Sequence, residues 1–273
     1  MGLKTATSAP LAPWLLPSRL MSWLAGDEAS LLSVLAEAAD AIAEALAGTD
    51  DWGETGHKRG EHHSDLATDA AALGVLGAAG FGVLSEESGH TWPERALTVV
   101  LDPLDGSTNA SRRMGWWATS LCAVDAGGPL ATLVVDLRHG TRYEAVRARG
   151  ARRDGEAIKA SGCVSLDAAI VGLNGVPAGH GGWAQYRAFG AAALDLCAVA
   201  DGTLDGYLDA TTDELGVWDY LGGLLMCQEA GAIVGDAFGR DLLTLDHGER
   251  RTPVAGATVQ LQAQLRDLHP SNK

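Results

Sequence analysis

The stretch VVLDPLDGSTNA, Val99 to Ala110, runs three apolar residues into two aspartates three positions apart, followed by small turn-forming residues. Two carboxylates this close repel unless something cationic lies between them. Pro103 cannot donate an N–H and fixes its own backbone angle, so the strand is expected to end immediately after Asp102. A turn there brings Asp102 and Asp105 to the strand tip, where the Leu104 carbonyl can also point inward. Two carboxylates and a carbonyl form a hard oxygen set that suits Mg2+ better than Zn2+. The backbone N–H groups of Gly106, Ser107, Thr108 and Asn109 then form a cradle for an anion. Acids that can hold a metal, next to amides that can hold a phosphate, point to phosphoryl chemistry.

Further acids stand where elements begin or end. Glu86 and Glu87 directly follow the apolar run FGVLS, Asp219 lies at the mouth of the helical pattern WDYLGGLLMCQEAG, and Asp69 is expected to begin a second helix. Taken singly, Asp69 and Asp219 read as helix caps and Glu86 and Glu87 as solvated loop charges.

Leu31, Val34, Leu35, Ala38, Ile42 and Leu46 share one stripe of a helix expected from Asp27 to Gly48, and the second helix is expected from near Thr68 to Gly80. Short apolar runs follow, separated by turns such as DAGG and LRHG, as in an antiparallel meander packed on a helical layer. After about residue 156 strands and helices alternate, the pattern of an α/β layer. The organisation expected is a single domain over 27–273, with subregions 27–155 and 156–273, behind a loose leader over 1–26. His62 and His63 read as loop residues, Trp116 and Trp117 as core or interface packing at the start of a strand, and Arg112 and Arg113 as surface or dimer contacts.

With 20 basic and 35 acidic side chains among 273 residues, the net charge of −15 argues against a protein built to grip nucleic acid. Cys122, Cys163, Cys197 and Cys227 are scattered without a C-x-x-C pair, as small hydrophobes in a reducing compartment are. The apolar patch within 1–26 is broken by three prolines, too interrupted for a secretory signal or a membrane span. A cytoplasmic location is expected.

Four segments in fixed order, LSEES (84–88), LDPLDGSTN (101–109), FGAAALDLCAVADGTLDGYL (189–208) and VWDYLGGLLMCQEAGAIVGD (217–236), together resemble the inositol monophosphatase family, within the superfamily that also holds fructose-1,6-bisphosphatase. The resemblance implies an α/β layered fold, an α-β-α-β-α sandwich, and a Mg2+-dependent phosphoric monoester hydrolase, commonly a homodimer. It implies two or three Mg2+ per site, with Mn2+ a substitute. Glu86, Asp102 and the Leu104 carbonyl look like ligands of a first metal, and Asp102, Asp105 and Asp219 like those of a second. Asp69 resembles an outer acid near the metal waters. Gly106, Ser107 and Thr108 would hold phosphate, and Gly190, Ala192 and Asp209 resemble positions lining a sugar or polyol site, with Asp105 between the two. Metal-activated water would attack phosphorus, with Glu86 and Ser107 orienting it or accepting its proton. The simplest substrate is inositol-1-phosphate; fructose 1,6-bisphosphate, histidinol phosphate and a 3'-phosphonucleotide are alternatives, as is a non-catalytic regulatory protein on the same fold. No membrane or nucleic-acid partner is expected. Ser107 replaces a usual Thr and Asp209 a usual Glu, Ala110 stands where an aromatic is common, and Ala191 where Ser or Thr is. These departures fall on the substrate side.

Overall fold

The computed structural model describes residues 28–49, 52–53 and 62–269; the expected leader lies outside them. Helix α1 (Glu28–Ala47) buries Leu31, Val34, Leu35, Ala38 and Ile42, the stripe its periodicity marks. Helix α2 (His63–Ala79) begins five residues before Thr68, because His62 acts as its N-cap, with its N–H bonded to Asp65 Oδ2 at 2.8 Å. His62 and His63 therefore start a helix rather than form a loop, and Asp69 lies inside that helix instead of capping it. Gly80, at φ 94°, ends it in the left-handed conformation that glycine adopts without strain.

Eight strands form the first sheet: β1 (Gly82–Ser85), β2 (Gly89–Thr91), β3 (Thr98–Asp105), β4 (Ala118–Asp125), β5 (Gly128–Asp136), β6 (Arg142–Val146), β7 (Gly150–Arg153) and β8 (Glu156–Ala157), in the order β2-β1-β3-β4-β5-β6-β7-β8. From β3 onward it is the expected antiparallel meander. The β1–β3 pair is parallel instead, because β2 folds back on β1 as an outer hairpin and the chain then crosses to β1's other edge. Strand period two divides the side chains between the faces. Val83, Val99, Leu101, Leu121, Ala123, Leu133 and Val135 pack with α1 and α2. Leu84, Val100, Ala118, Cys122, Val134 and Ala145 pack on the other face with α4 (Ala192–Ala200) and α5 (Val217–Glu229).

A second sheet, β9 (Ile170–Asn174), β10 (Gln185–Arg187), β11 (Gly206–Asp209), β12 (Ile233–Asp236) and β13 (Pro253–Gly256), takes the order β10-β9-β11-β13-β12. Tyr207 and Ala255 face α4 and α5, while Val171, Leu173, Leu208 and Val254 face α6 (Val259–Asp267). The layers are therefore helix, sheet, helix, sheet, helix, as the resemblance implies. All nine residues of α4 are buried between the two sheets, so its N-terminus can only face a seam between layers, and the acidic motifs meet there.

Candidate active site

Strand β3 does not stop at Asp102. It continues to Asp105 with a shift of register: Asp102 pairs with Ser120 and Asp105 with Ala118. Residues three apart on a regular strand face opposite ways. Here three steps on β3 match two on β4, so Pro103 and Leu104 form a bulge that turns both carboxylates to one side. That side is shared with Ala118 and Cys122 and faces α4 and α5. Pro103 thus shapes the site by bending a strand rather than by ending it. Asp102 Oδ1 accepts the Leu104 N–H at 3.0 Å, closing the bulge. A five-residue helix α3 (Ser107–Ser111) follows Gly106.

Glu86 follows β1 two residues beyond Leu84 and therefore turns to the same face. Asp219 enters from the third position of α5, with its Oδ2 accepting the Gly216 N–H at 2.6 Å. The capping role expected of Asp219 is present and occupies one oxygen. One carboxylate oxygen each from Glu86, Asp102 and Asp219 lie within 4.8 Å of one another, an arrangement that can hold a metal ion. Asp102 Oδ2 is buried with no hydrogen-bond partner, a costly state for a polar atom unless a cation neutralises it. Hard carboxylate oxygens converging on an orphaned buried one fit a divalent ion.

Asp105 stands beside this trio. Its Oδ2 accepts the Ala193 N–H at 2.8 Å, so it caps the buried α4. Burial and then the Glu86, Asp105 and Asp219 charges push the Asp102 carboxyl well above its usual range. Asp105 is pushed up to about 8, chiefly by burial and next by Asp195 and Glu86, against the opposing pull of the Ala193 N–H. Asp219 is likewise pushed up to about 8 by burial and by Asp105, against the Gly216 N–H and Arg250.

Asp69 sits on the far face of the first sheet. It accepts hydrogen bonds from Ser85 Oγ, the side chain that alternates with Glu86, and from Ser88 Oγ at 3.4 Å, in the turn just past Glu86. Asp209, fully buried at the end of β11, bonds through Oδ1 to Thr211 N–H (2.9 Å) and Asn174 Nδ2 (3.1 Å), while its Oδ2 has no partner. Gly106, at φ 81°, lies where a Cβ would come within 3.1 Å of the Gly190 and Trp116 carbonyls and 3.2 Å of Ala191 Cβ. Gly106 is thus packed against Gly190 and Ala191, while the N–H groups of Ala192 and Ala193 hold Asp105 next to it. Replacing Gly106→Ala imposes left-handed strain on a side chain with no room. The urea midpoint is expected to fall by an amount equivalent to about 1–2 kcal/mol, and an unchanged midpoint would show that the turn tolerates a side chain.

Two residues, and the side chain of a third, escaped the sequence reading as contributors. Asn109 Nδ2 donates to the carbonyls of Trp116 (2.8 Å) and Phe189 (2.7 Å), joining the turn after β3 to the segment before α4. Asp195 is buried, takes the Trp116 indole N–H at 3.0 Å and is pushed up to about 8 by burial. An aspartate within the apolar run AALDLCAVA was its signal. His247 lies against Trp218, and its bond to Glu86 spans 161 residues, so local sequence carried no sign of it. Trp116 stacks on Phe189 with centroids 4.5 Å apart, in keeping with a packing role, and Arg112 and Arg113 are exposed. Cys122, Cys197 and Cys227 are buried free thiols, and Cys163 is half-buried.

The sequence profile of the inositol monophosphatase family matches residues 31–271. The Nus factor SuhB of Escherichia coli strain K12 is 32% identical over 174 residues, 58% of this chain and 63% of that protein. The chain thus spans somewhat under two thirds of that relative's length. A fructose-1,6-bisphosphatase/inositol-1-monophosphatase of Archaeoglobus fulgidus is 33% identical over 214 residues, 75% of this chain and 82% of that one. Among solved structures, the extragenic suppressor protein suhB of Bartonella henselae superposes with a TM-score of 0.72 at 26% identity, covering 88% of this chain and 98% of that one. A hypothetical protein from Pyrococcus horikoshii, with similarities to inositol-1 monophosphatase, superposes at 0.76 and 23% identity over 91% and 98%, and shares the fold.

Proposed function

The chain belongs to the inositol monophosphatase family, and from that premise we propose that it hydrolyses a small phosphate monoester with the help of divalent metal, Mg2+ in the first instance. The observation that carries this reading is the convergence of Glu86, Asp102 and Asp219 within 4.8 Å around an unpartnered Asp102 oxygen. These three carboxylates are the proposed metal ligands, together with Asp105 and the Leu104 carbonyl. A bound divalent ion supplies Lewis-acid stabilisation of phosphoryl charge and lowers the pKa of water.

The chain's own residues do the rest. Gly106, Ser107 and Thr108 open α3, and first-turn N–H groups have no partner inside their helix. They are assigned to the equatorial oxygens of the phosphate. Glu86 and the Ser107 hydroxyl orient the attacking water or accept its proton, and Asp69 steadies Glu86 through Ser85. Gly190, Ala192 and Asp209 face the alcohol portion. Inositol-1-phosphate is the substrate we favour, with fructose 1,6-bisphosphate, histidinol phosphate and a 3'-phosphonucleotide as alternatives, in a cytoplasmic homodimer. Among the described residues no helix is long and apolar enough to cross a membrane.

Release of inorganic phosphate from sugar, polyol, nucleotide and amino-alcohol phosphates, with Mg2+ and with chelator, tests the proposal. Chelator-sensitive release from the polyol ester above the others is expected. The printed description of the SuhB relatives as Nus factors favours one second reading, a regulatory protein on this fold. No release from any ester, with metal binding intact, would decide for it.

A further inference from the structure

One loop touches both segments that deliver the outer pair of carboxylates. Residues 242–251 are tied to the start of α5 at both ends. Tyr220 Oη donates to the Leu242 carbonyl at 2.8 Å, and the Arg251 N–H donates to the Leu215 carbonyl at 2.9 Å. Between these ties the loop crosses to the far side of the site, where His247 Nε2 lies 3.1 Å from the Glu86 carbonyl oxygen. A carbonyl only accepts, so Nε2 carries the hydrogen. The imidazole rests on Trp218, with centroids 4.7 Å apart and planes inclined by 33°. Arg250 also covers that indole, its guanidinium carbon 5.0 Å from the ring centroid, and its Nη1 donates to the His247 carbonyl at 2.8 Å. Trp218 is buried and immediately precedes Asp219.

Glu86 and Asp219 arrive from different layers and carry like charges, so a bond that ties their two segments together bears directly on their separation. On its N-terminal side Glu86 is fixed by its N–H to the Leu101 carbonyl at 3.2 Å. On its C-terminal side the bond comes from His247. We propose that His247 is a positioning residue: its bond to the Glu86 carbonyl, braced on Trp218 and Arg250, sets the spacing of the Glu86 and Asp219 carboxylates and with it the affinity for a divalent ion. The proposal rests on the metal reading given above. Groups that orient ligands from outside the coordination sphere typically govern metal affinity by about 10–100-fold.

Mn2+ binding to the metal-free full chain, followed by calorimetry, tests this without recourse to turnover. His247→Phe keeps a ring on Trp218 and removes the donor, whereas His247→Gln keeps a donor of similar reach and removes the ring. The Phe variant is expected to bind Mn2+ about tenfold more weakly or worse, and the Gln variant to remain close to the parent. Parental affinity in His247→Phe, or equal weakness in both variants, overturns the proposal. Arg250→Met gives an independent check, even if a His247 variant fails to fold. Loss of a cation beside Asp219 should by charge alone strengthen cation binding, so weaker binding reports the brace, and unchanged or stronger binding contradicts it. A parent chain that takes up no Mn2+ overturns the metal reading itself, which separates the two failures.

Discussion

Asp102→Asn is expected to lower metal-dependent phosphate release by about three orders of magnitude while making the metal-free protein more heat-stable. Both effects follow from the same geometry. Asp102 is 1% exposed, lies close to the Glu86, Asp105 and Asp219 carboxylates and leaves one oxygen unpartnered. Without a cation its charge costs stability, and an amide of the same shape removes that charge and can donate to Glu86 or Asp219. For larger domains, stability converts to melting temperature at about 2–4 °C per kcal/mol, so a rise of a few degrees is anticipated. Lewis-acid assistance to phosphoryl transfer is worth several kcal/mol, and about 1.4 kcal/mol corresponds to a tenfold change in rate. Thermal denaturation with and without Mg2+, beside a phosphate-release assay, checks both halves. A variant that keeps the Mg2+-induced rise in melting temperature and full activity would remove the metal reading.

Stability of the metal-free chain is expected to fall as pH rises from about 4 to about 8, and added Mg2+ should oppose the loss. Asp105 and Asp219 have carboxyls pushed from 3.8 to about 8, burial being the largest cause for each. Between those values the folded state holds protons that the unfolded state has released. Unfolding is therefore accompanied by proton loss, and stability declines with rising pH. Below about pH 4 both states are protonated and this contribution is fully present; above about pH 8 it is gone. Each group that keeps its proton only in the folded state adds a slope of about 1.4 kcal/mol per pH unit, and mutual coupling makes the sum smaller than twice that. A divalent ion favours the ionised carboxylates, so its stabilising effect should grow across the same window. Urea midpoints at pH 5 and pH 8 in chelator, then in Mg2+, supply the measurement. A metal-free midpoint higher at pH 8 than at pH 5 would mean that these acids are not the buried cluster described.

The layers were legible because local pattern and tertiary placement coincide. The α1 stripe, the alternation along β4 and β5, and the Gly-closed α2 each reflect the face they bury. The helix start at His62 was not, since Asp65 caps from inside the helix and histidine is an unusual N-cap. The carboxylates of LDPLD were legible as a pair, but their common orientation depends on a bulge defined by pairing to β4, which the strand's own residues do not specify. Pro103 marked the irregularity without revealing its kind. Asp69 was legible as an outer acid, and its link runs through hydroxyls on either side of Glu86, those of Ser85 and Ser88. His247 and the Asn109 side chain were beyond reach for a simpler reason. Each bonds to a backbone carbonyl, and a carbonyl leaves no trace in the identity of the residue that carries it.

The acids and the stretch proposed to face the alcohol travel on different lengths of chain. Residues 84–109 bear most of the former and 189–209 the latter, joined by Asp105 to Ala193 and Asn109 to Phe189. Under the proposed function, descent can rewrite the second stretch while leaving the first untouched. Preference among metabolites can then drift within a lineage whose bond-breaking apparatus stands still. On that proposal LDPLDGSTN would mark the chemistry, and the choice of alcohol would be written some eighty residues further on.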